Sequence, residues 1–193
     1  MFACELEKGL HLGLLRTADA KALYRTVERN RAVLEAWLPW VHQIENAADM
    51  KNYVRFECKR YKGGKAMSAV IFDGREAAGL ISYQELDFRN RKATLGYWLD
   101  SARQGKGIMT DAAAQMIRFA FATLDLNRVE IRARADNRRS CAVAERLGFK
   151  QEGVLRQEEY SGGVYRDHIV YGLLEADWKR QETGGDDPNR ITV

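Results

Sequence analysis

The sequence predicts a mixed α/β domain whose sheet is antiparallel apart from one parallel strand pair. Three observations predict it. The apolar period is helical near the N-terminus, alternates through the middle, and then returns to helical before a last alternating stretch. Two pairs of alternating runs flank the turn signals Asp73-Gly74 and Gly162-Gly163, as hairpins do. Finally, "KATLGYWLD", a long helical run and "RVEIRA" follow one another as strand, helix and strand, the order of a right-handed parallel crossover. A chain of 193 residues without a dividing linker or repeat is most simply one domain.

The elements follow in order. "LHLGLLR" reads as a first strand, and "TADAKALYRTVERN" as a helix with Thr17 or Asp19 available as N-cap. "NRAVLEAWLPWV" continues as a short helix, stopped where Pro39 disfavours the helical state at Leu38. "DMKNYVRFECKRY" sets Met50, Tyr53, Val54, Cys58 and Tyr61 on one helical face, ended by Gly63 and Gly64. "AMSAVIFDGREAAGLISYQEL" is the first hairpin, and "KATLGYWLD" completes a three-stranded meander. Met109, Ala113, Met116, Ile117, Ala120 and Leu124 line one stripe of a long helix. "RVEIRA" is a strand by its alternation, and "NRRSCAVAERLG" is a short helix with Gly148 as its C′ residue. "FKQEGVLRQEEY" and "VYRDHIVYGLL" form the last hairpin, and the segment from 183 to 193 lacks a core pattern and is expected to be mobile.

Composition narrows the function. Hydrophobic content of 46% with 30% charged residues is ordinary for a soluble protein, and no apolar run approaches the roughly 20 residues of a membrane span. The N-terminus lacks the basic-then-apolar order of a secretory signal, so a cytoplasmic setting is expected, with no membrane partner. The three cysteines form no Cys-x-x-Cys pair, the three histidines are scattered, and no metal site is expected. The net charge is +4, and only "RVEIRARADNRRS" is locally rich in arginine. That stretch suits RNA phosphates, a phosphorylated small molecule, or a solvated face.

The loop "QGKG" stands between the crossover strand and the long helix, at the carboxyl end of the strand where ligands of α/β sheets gather. Glycines there let backbone N–H groups approach an anion at a helix N-terminus; the plain alternative is a turn. Two phosphate loops are excluded. A Walker loop needs a glycine five positions before Gly105, and a dinucleotide fingerprint needs glycine where Thr110 stands.

Gln104-x-x-Gly107-x-Met109 ahead of a long helix, with "DNRRSCAVAERLGF" further on, resembles the two signatures of the GNAT superfamily of N-acetyltransferases. "EAWLPWV", "LGYWLD", "GKGIMT" and "LDLNRVEIRA" resemble its RimJ/RimL-like branch, which acetylates ribosomal-protein N-termini. The resemblance covers nearly the whole chain, with residues 1–182 as the acetyltransferase domain. One departure is Met109, where the superfamily usually has Gly or Ala and this branch carries larger residues. The resemblance implies a GNAT-like sheet flanked by helices and splayed at its one parallel strand pair. It also implies acetyl-coenzyme A as co-substrate, no metal, and direct transfer to a primary amine in a ternary complex.

It further implies roles. Amides of Gly105, Lys106, Gly107, Ile108 and Met109, with the Thr110 hydroxyl and Gln104, would hold the pyrophosphate. Tyr97, Trp98 and Leu99 would hold the pantetheine arm, with the Leu99 N–H on the thioester carbonyl, and Asn137 would bind the same arm or cap its helix. Glu159 would be the general base or a surface carboxylate, while Glu158 points elsewhere by strand alternation. Ser140 would return the proton to the thiolate or satisfy a helix start, with Tyr160 in reserve. Trp37, Leu38 and Trp40 would wall the acceptor cleft or pack the core, and Glu85 and Asp87 would attract a cationic acceptor or serve as turn acids. The expected partner is an amine acceptor, a ribosomal-protein N-terminus among the candidates, and a homo-oligomer is compatible. Two other classes compete. One is an acyl-coenzyme A sensor without turnover. The other is an RNA-binding protein, disfavoured because no aromatic stacking platform accompanies the arginines.

Overall fold

The computed structural model describes residues 2–183, so most of the C-terminal segment expected to be mobile lies outside the described residues. Eight strands form a single sheet in the order β1-β2-β3-β4-β5-β6-β8-β7. β1 (Ala3–Glu5) and β2 (Leu10–Leu14) open the chain, and β3 (Met67–Asp73), β4 (Glu76–Asp87) and β5 (Lys92–Leu99) are the meander. β6 (Arg128–Arg134) pairs parallel with β5; every other neighbouring pair is antiparallel. β7 (Lys150–Ser161) and β8 (Val164–Leu174) are the last hairpin, turning at Gly162 and Gly163, both at positive φ as a type I′ turn demands.

Both faces of the sheet are covered, which is why β3 reads as an unbroken apolar run rather than an alternating one. On one face pack α1 (Ala20–Arg29), α2 (Arg31–Leu34) and α3 (Ala47–Lys62), burying Leu23, Val27, Met50 and Val54 against Val70, Phe72, Leu80 and Trp98. On the other pack α4 (Ile108–Ala122) and α5 (Arg138–Arg146), burying Met116, Ile117, Ala120 and Ala144 against Ala69, Ile71, Ile81 and Leu95. Tyr83, fully buried between them, satisfies its hydroxyl by donating to the Met116 carbonyl.

Several expectations need correction. β1 and a terminal helix, α6 (Glu175–Thr183), were not legible; α6 buries little beyond Trp178. Tyr61 is exposed, and the buried polar member of α3 is Glu57, which accepts from Arg60 at 3.0 Å. The first hairpin turns at Gly74-Arg75, because Asp73 pairs with Glu76 and only Gly74 has positive φ, the type II′ pattern. Asp19 accepts the Arg16 N–H at 2.8 Å and closes a 3-10 turn; neither it nor Thr17 caps α1 by a side-chain bond. Leu38 is extended as Pro39 requires, but α2 has already ended at Leu34, and Pro39 starts a new 3-10 turn instead. Leu124 lies past the end of α4.

Candidate active site

The site begins where two strands part. β5 and β6 pair only from Lys92↔Arg128 to Leu95↔Ile131, although β5 runs on to Leu99 and β6 to Arg134. The direction of the freed groups follows from the ladder on the other side. The Asp100 N–H donates to the Ala78 carbonyl at 2.8 Å, so Asp100 and, by alternation, Trp98 turn their main chain towards β4. Tyr97 and Leu99 therefore turn theirs into the gap. Leu99 spends its carbonyl on Gln104 Nε2 at 3.1 Å, which leaves its N–H facing the opening. Trp98 differs from the other two, since its ring is buried in the core beneath α1 and α3 and its indole N–H has no partner among the described residues.

The glycine loop is anchored by a buried carboxylate. Asp100, 1% exposed, accepts from Arg29 at 2.6 Å, from Arg103 at 2.7 Å and from the Ala102 N–H at 3.2 Å. Burial pushes this carboxyl up, but the hydrogen bonds from Arg29 and Ala102 outweigh it and hold it below the usual range. Arg103 in turn binds Asp73 and Glu76, tying the loop to the first hairpin. Gly105 and Gly107 then adopt φ of 74° and 80°, in the region that side chains resist. Gly107 is the N-cap residue of α4 and offers no side-chain acceptor, so the first N–H groups of that 15-residue helix are left for a ligand. Arg146 reaches the Thr110 hydroxyl at 3.3 Å, Arg139 reaches Gln104 Oε1 at 2.7 Å, and Arg138 lines the same cleft. Of the arginine-rich stretch, Arg138 and Arg139 join this cationic border, while Arg128, Arg132 and Arg134 pair with Glu130, Glu152 and Asp136 on and beside β6. The Lys106 side chain turns back on the preceding turn, its ammonium donating to the Ala102 carbonyl at 3.1 Å, and its carbonyl accepts from Lys8.

On the other bank, Asn137 is the N-cap of α5, and its Oδ1 accepts the Ser140 N–H at 3.1 Å. The Ser140 hydroxyl donates to the Tyr97 phenol oxygen at 3.3 Å, and that phenol donates to the Ser140 carbonyl at 3.1 Å. Burial pushes the Tyr97 phenol up to about 12, so it keeps its proton at neutral pH.

Glu159 reaches the cleft through an irregularity in β7. Leu155 pairs with His168 and Glu159 with Arg166, so β7 carries two more residues here than β8. Gln157 takes φ of 55° in this bulge, steadied by its N–H bond to Asp167 at 2.8 Å. The bulge breaks simple alternation, and Glu158, expected to point elsewhere, lines the cleft with Glu159. Glu159 Oε2 lies 3.2 Å from His168 Nε2, and Arg134 donates to Oε1 at 3.5 Å. Tyr160 is exposed beside Tyr165 and stands outside the cleft lining. Asp87 is a turn acid, accepting from the Asn90 N–H and side chain, whereas Glu85 lines the cleft.

Trp37, Leu38 and Trp40 form an apolar wall of the same cleft. Trp40 stacks on Tyr53 with centroids 4.9 Å apart, and the Arg134 guanidinium lies 4.7 Å over the Trp37 ring. The cleft encloses about 2140 Å³ and joins loop, gap, Ser140, Glu159 and aromatic wall in one continuous space. Among the described residues no cluster of His, Cys, Asp and Glu is arranged to hold a metal, and no helix is long and apolar enough to cross a membrane.

Comparison with known proteins agrees with this geometry. Residues 10–150 match the acetyltransferase (GNAT) domain family. YdaF of Bacillus subtilis is 35% identical over 184 residues, spanning 94% of this chain and 100% of that protein. The ribosomal-protein-serine acetyltransferase of Escherichia coli is 31% identical, spanning 88% of this chain and 95% of its own. A solved RimL structure, a ribosomal alpha-N-protein acetyltransferase in complex with coenzyme A, gives a TM-score of 0.85 at 31% identity, covering 92% of this chain and 99% of that one. The self-immunity acetyltransferase MccE, solved with acetyl-CoA and AMP, gives 0.81 at 29% identity over 86% of this chain and 92% of that one. A sheet parted at its one parallel pair, a glycine loop opening α4 and a family match across both make the chain a member of the GNAT acetyltransferases.

Proposed function

We propose that the chain transfers the acetyl group of acetyl-coenzyme A directly to the α-amine of a protein N-terminus, with ribosomal proteins the leading acceptors. The observation that carries this is the gap beyond Leu95↔Ile131, which exposes the main chain of Tyr97 and Leu99 between the glycine loop and Glu159. Polar groups so placed would take an extended amide-bearing arm as an added strand. The amides from Gly105 to Met109 and the Thr110 hydroxyl suit a pyrophosphate, with Arg138, Arg139 and Arg146 at the border for further phosphate charge. Acetyl-coenzyme A supplies the activated acyl group.

The residues then divide the work. The Leu99 N–H faces the position where negative charge develops on the carbonyl oxygen. An α-amine with a pKa of roughly 8 is partly neutral at pH 7, unlike a lysine amine at roughly 10.4, so one carboxylate is a sufficient base. Glu159 fills that role, and Glu158 and Glu85 give the cleft an acidic bank for the incoming cation. Ser140, with Tyr97 hydrogen-bonded to it, returns a proton to the departing thiolate. Asn137 divides its amide, with Oδ1 on its own helix and the NH₂ for the arm. The relatives support the acceptor class through the names of the Escherichia coli enzyme and of RimL.

An acceptor screen following free thiol release tests the reading. Peptides matching ribosomal-protein N-termini should release thiol faster than polyamines or aminoglycosides do. A preference for the polyamines would overturn the acceptor assignment.

A further inference from the structure

Acetylation strips two protons from an ammonium nitrogen. One suffices for the thiolate, and the other must reach water. Glu159 is poorly placed to release it unaided, because its side chain is only 18% exposed. Both its oxygens are engaged, Oε1 by Arg134 and Oε2 by His168. We infer that His168 carries this second proton from Glu159 to solvent; the inference rests on Glu159 being the base.

His168 lies on β8 directly opposite Arg134 of β6 and Leu155 of β7, at the lip of the β7 bulge. The bulge brings Glu159 opposite Arg166, two residues closer to the cleft than the register at Leu155 would place it, and so sets it against the imidazole. His168 also lines the cleft. Arg134 is committed elsewhere as well, to Asp136 at 2.8 Å and to the Ala36 carbonyl at 2.8 Å, so it holds Glu159 without being able to take a proton from it. Of the two side chains touching the carboxylate, only the imidazole has ring nitrogens that can both accept and release a proton, whereas a guanidinium stays charged. The surrounding charges are Arg134 and Asp136 from the β6 side, Glu158 and Glu159 from β7, and Arg166 and Asp167 on β8 itself.

The proton balance closes without another reagent. At rest the carboxylate accepts from His168 Nε2–H. The ammonium gives one proton to Glu159, and exchange with water moves the imidazole's own proton from Nε2 to Nδ1. Glu159 then passes its proton to the bared Nε2 and becomes anionic again. The imidazolium then loses a proton from Nδ1 to water. His168 acts through Glu159 and is a positioning residue for the base, not a group that touches substrate.

The test is steady-state kinetics of His168→Gln, which keeps an amide donor towards Glu159 but cannot relay a proton, beside Glu159→Gln. The expected result for His168→Gln is a kcat lowered about 10-fold, below the range for a lost general base. The acetyl-coenzyme A KM should be unchanged, the acid limb of the kcat profile should lose one ionisation, and added imidazole buffer should restore the rate. Wild-type kcat and pH profile in His168→Gln, with Glu159→Gln slow, would overturn the relay alone. A slow His168→Gln with the wild-type profile and no response to imidazole would overturn it too, leaving a structural histidine. Wild-type turnover in Glu159→Gln would overturn the base assignment and the relay with it. Should His168→Gln not fold, a proton inventory of the wild-type enzyme in mixed light and heavy water decides. A curved inventory, from two protons in flight, is expected, and a linear one would contradict the relay.

Discussion

Glu159 is held by two neighbours, Arg134 and His168, in a cleft it enters only because β7 bulges. As the base it should be replaceable in shape but not in chemistry. Glu159→Gln is expected to lower kcat by about 10²- to 10⁴-fold while leaving coenzyme affinity unchanged, since the glycine loop lies on a different element. The loss should shrink as pH rises, because more of the α-amine then arrives neutral. A rise in acceptor KM with kcat intact would instead make Glu159 an electrostatic anchor for the cation. Both parameters measured over a pH series with a peptide acceptor separate the two outcomes.

At the scale of elements, the glycine loop and its anchoring turn carry two expectations. Gly107 sits at φ of 80°, so Gly107→Ala is expected to cost about 1 kcal/mol of stability from backbone strain alone. If the loop holds pyrophosphate, coenzyme affinity should fall by about 10-fold as well, because the helix N–H groups would be displaced. Calorimetry and a denaturant melt on the same variant read the two effects apart; lost stability with unchanged affinity would return the loop to a plain turn. Asp100 is the second case. Arg29 is half exposed and is less burdened by losing its partner, so Asp100→Asn is expected to cost about 3 kcal/mol, the low end for a broken buried pair. Because the folded carboxyl lies below its ordinary value, its contribution is present above about pH 4 and fades as pH falls through the folded value. The stability of Asp100→Asn should therefore decline less steeply than wild type in acid, as chemical melts below pH 4 would measure.

The same elements show what was legible in the sequence. Strands with alternation and glycine turns, and helices with an apolar stripe, declared themselves because their period is local. The glycine loop could be placed because it stands between two such elements. What stayed hidden depends on register. The partition of Glu158 and Glu159 could not be read, since the bulge at Gln157 suspends the alternation that any such reading assumes. His168 was passed over because its partner lies across a strand pair and not at metal-ligand spacing. Asp100 gave no signal at all, because one of its two arginine partners, Arg29 on α1, comes from a distant part of the chain and only the fold buries the group.

At the scale of the whole molecule, two apolar layers clamp the sheet and the cleft opens between its two halves. A ligand spanning that cleft touches both halves and should stabilise the fold by mass action. At about 100 times its Kd, acetyl-coenzyme A is expected to add about 2.7 kcal/mol, raising the melting temperature where NADH and ATP at the same ratio to protein do not. That result would establish the ligand but would not separate an enzyme from a sensor.

The separation comes from following the acetyl group itself. Isotopically labelled acetyl-coenzyme A, a peptide with a free α-amine and the wild-type chain are mixed, and the peptide is sequenced by mass spectrometry. The label is expected on the α-nitrogen, at a rate that Glu159→Gln slows and that matches thiol release. Tight binding of acetyl-coenzyme A with no label on this or any other amine offered would contradict the account and leave the cleft a binding module.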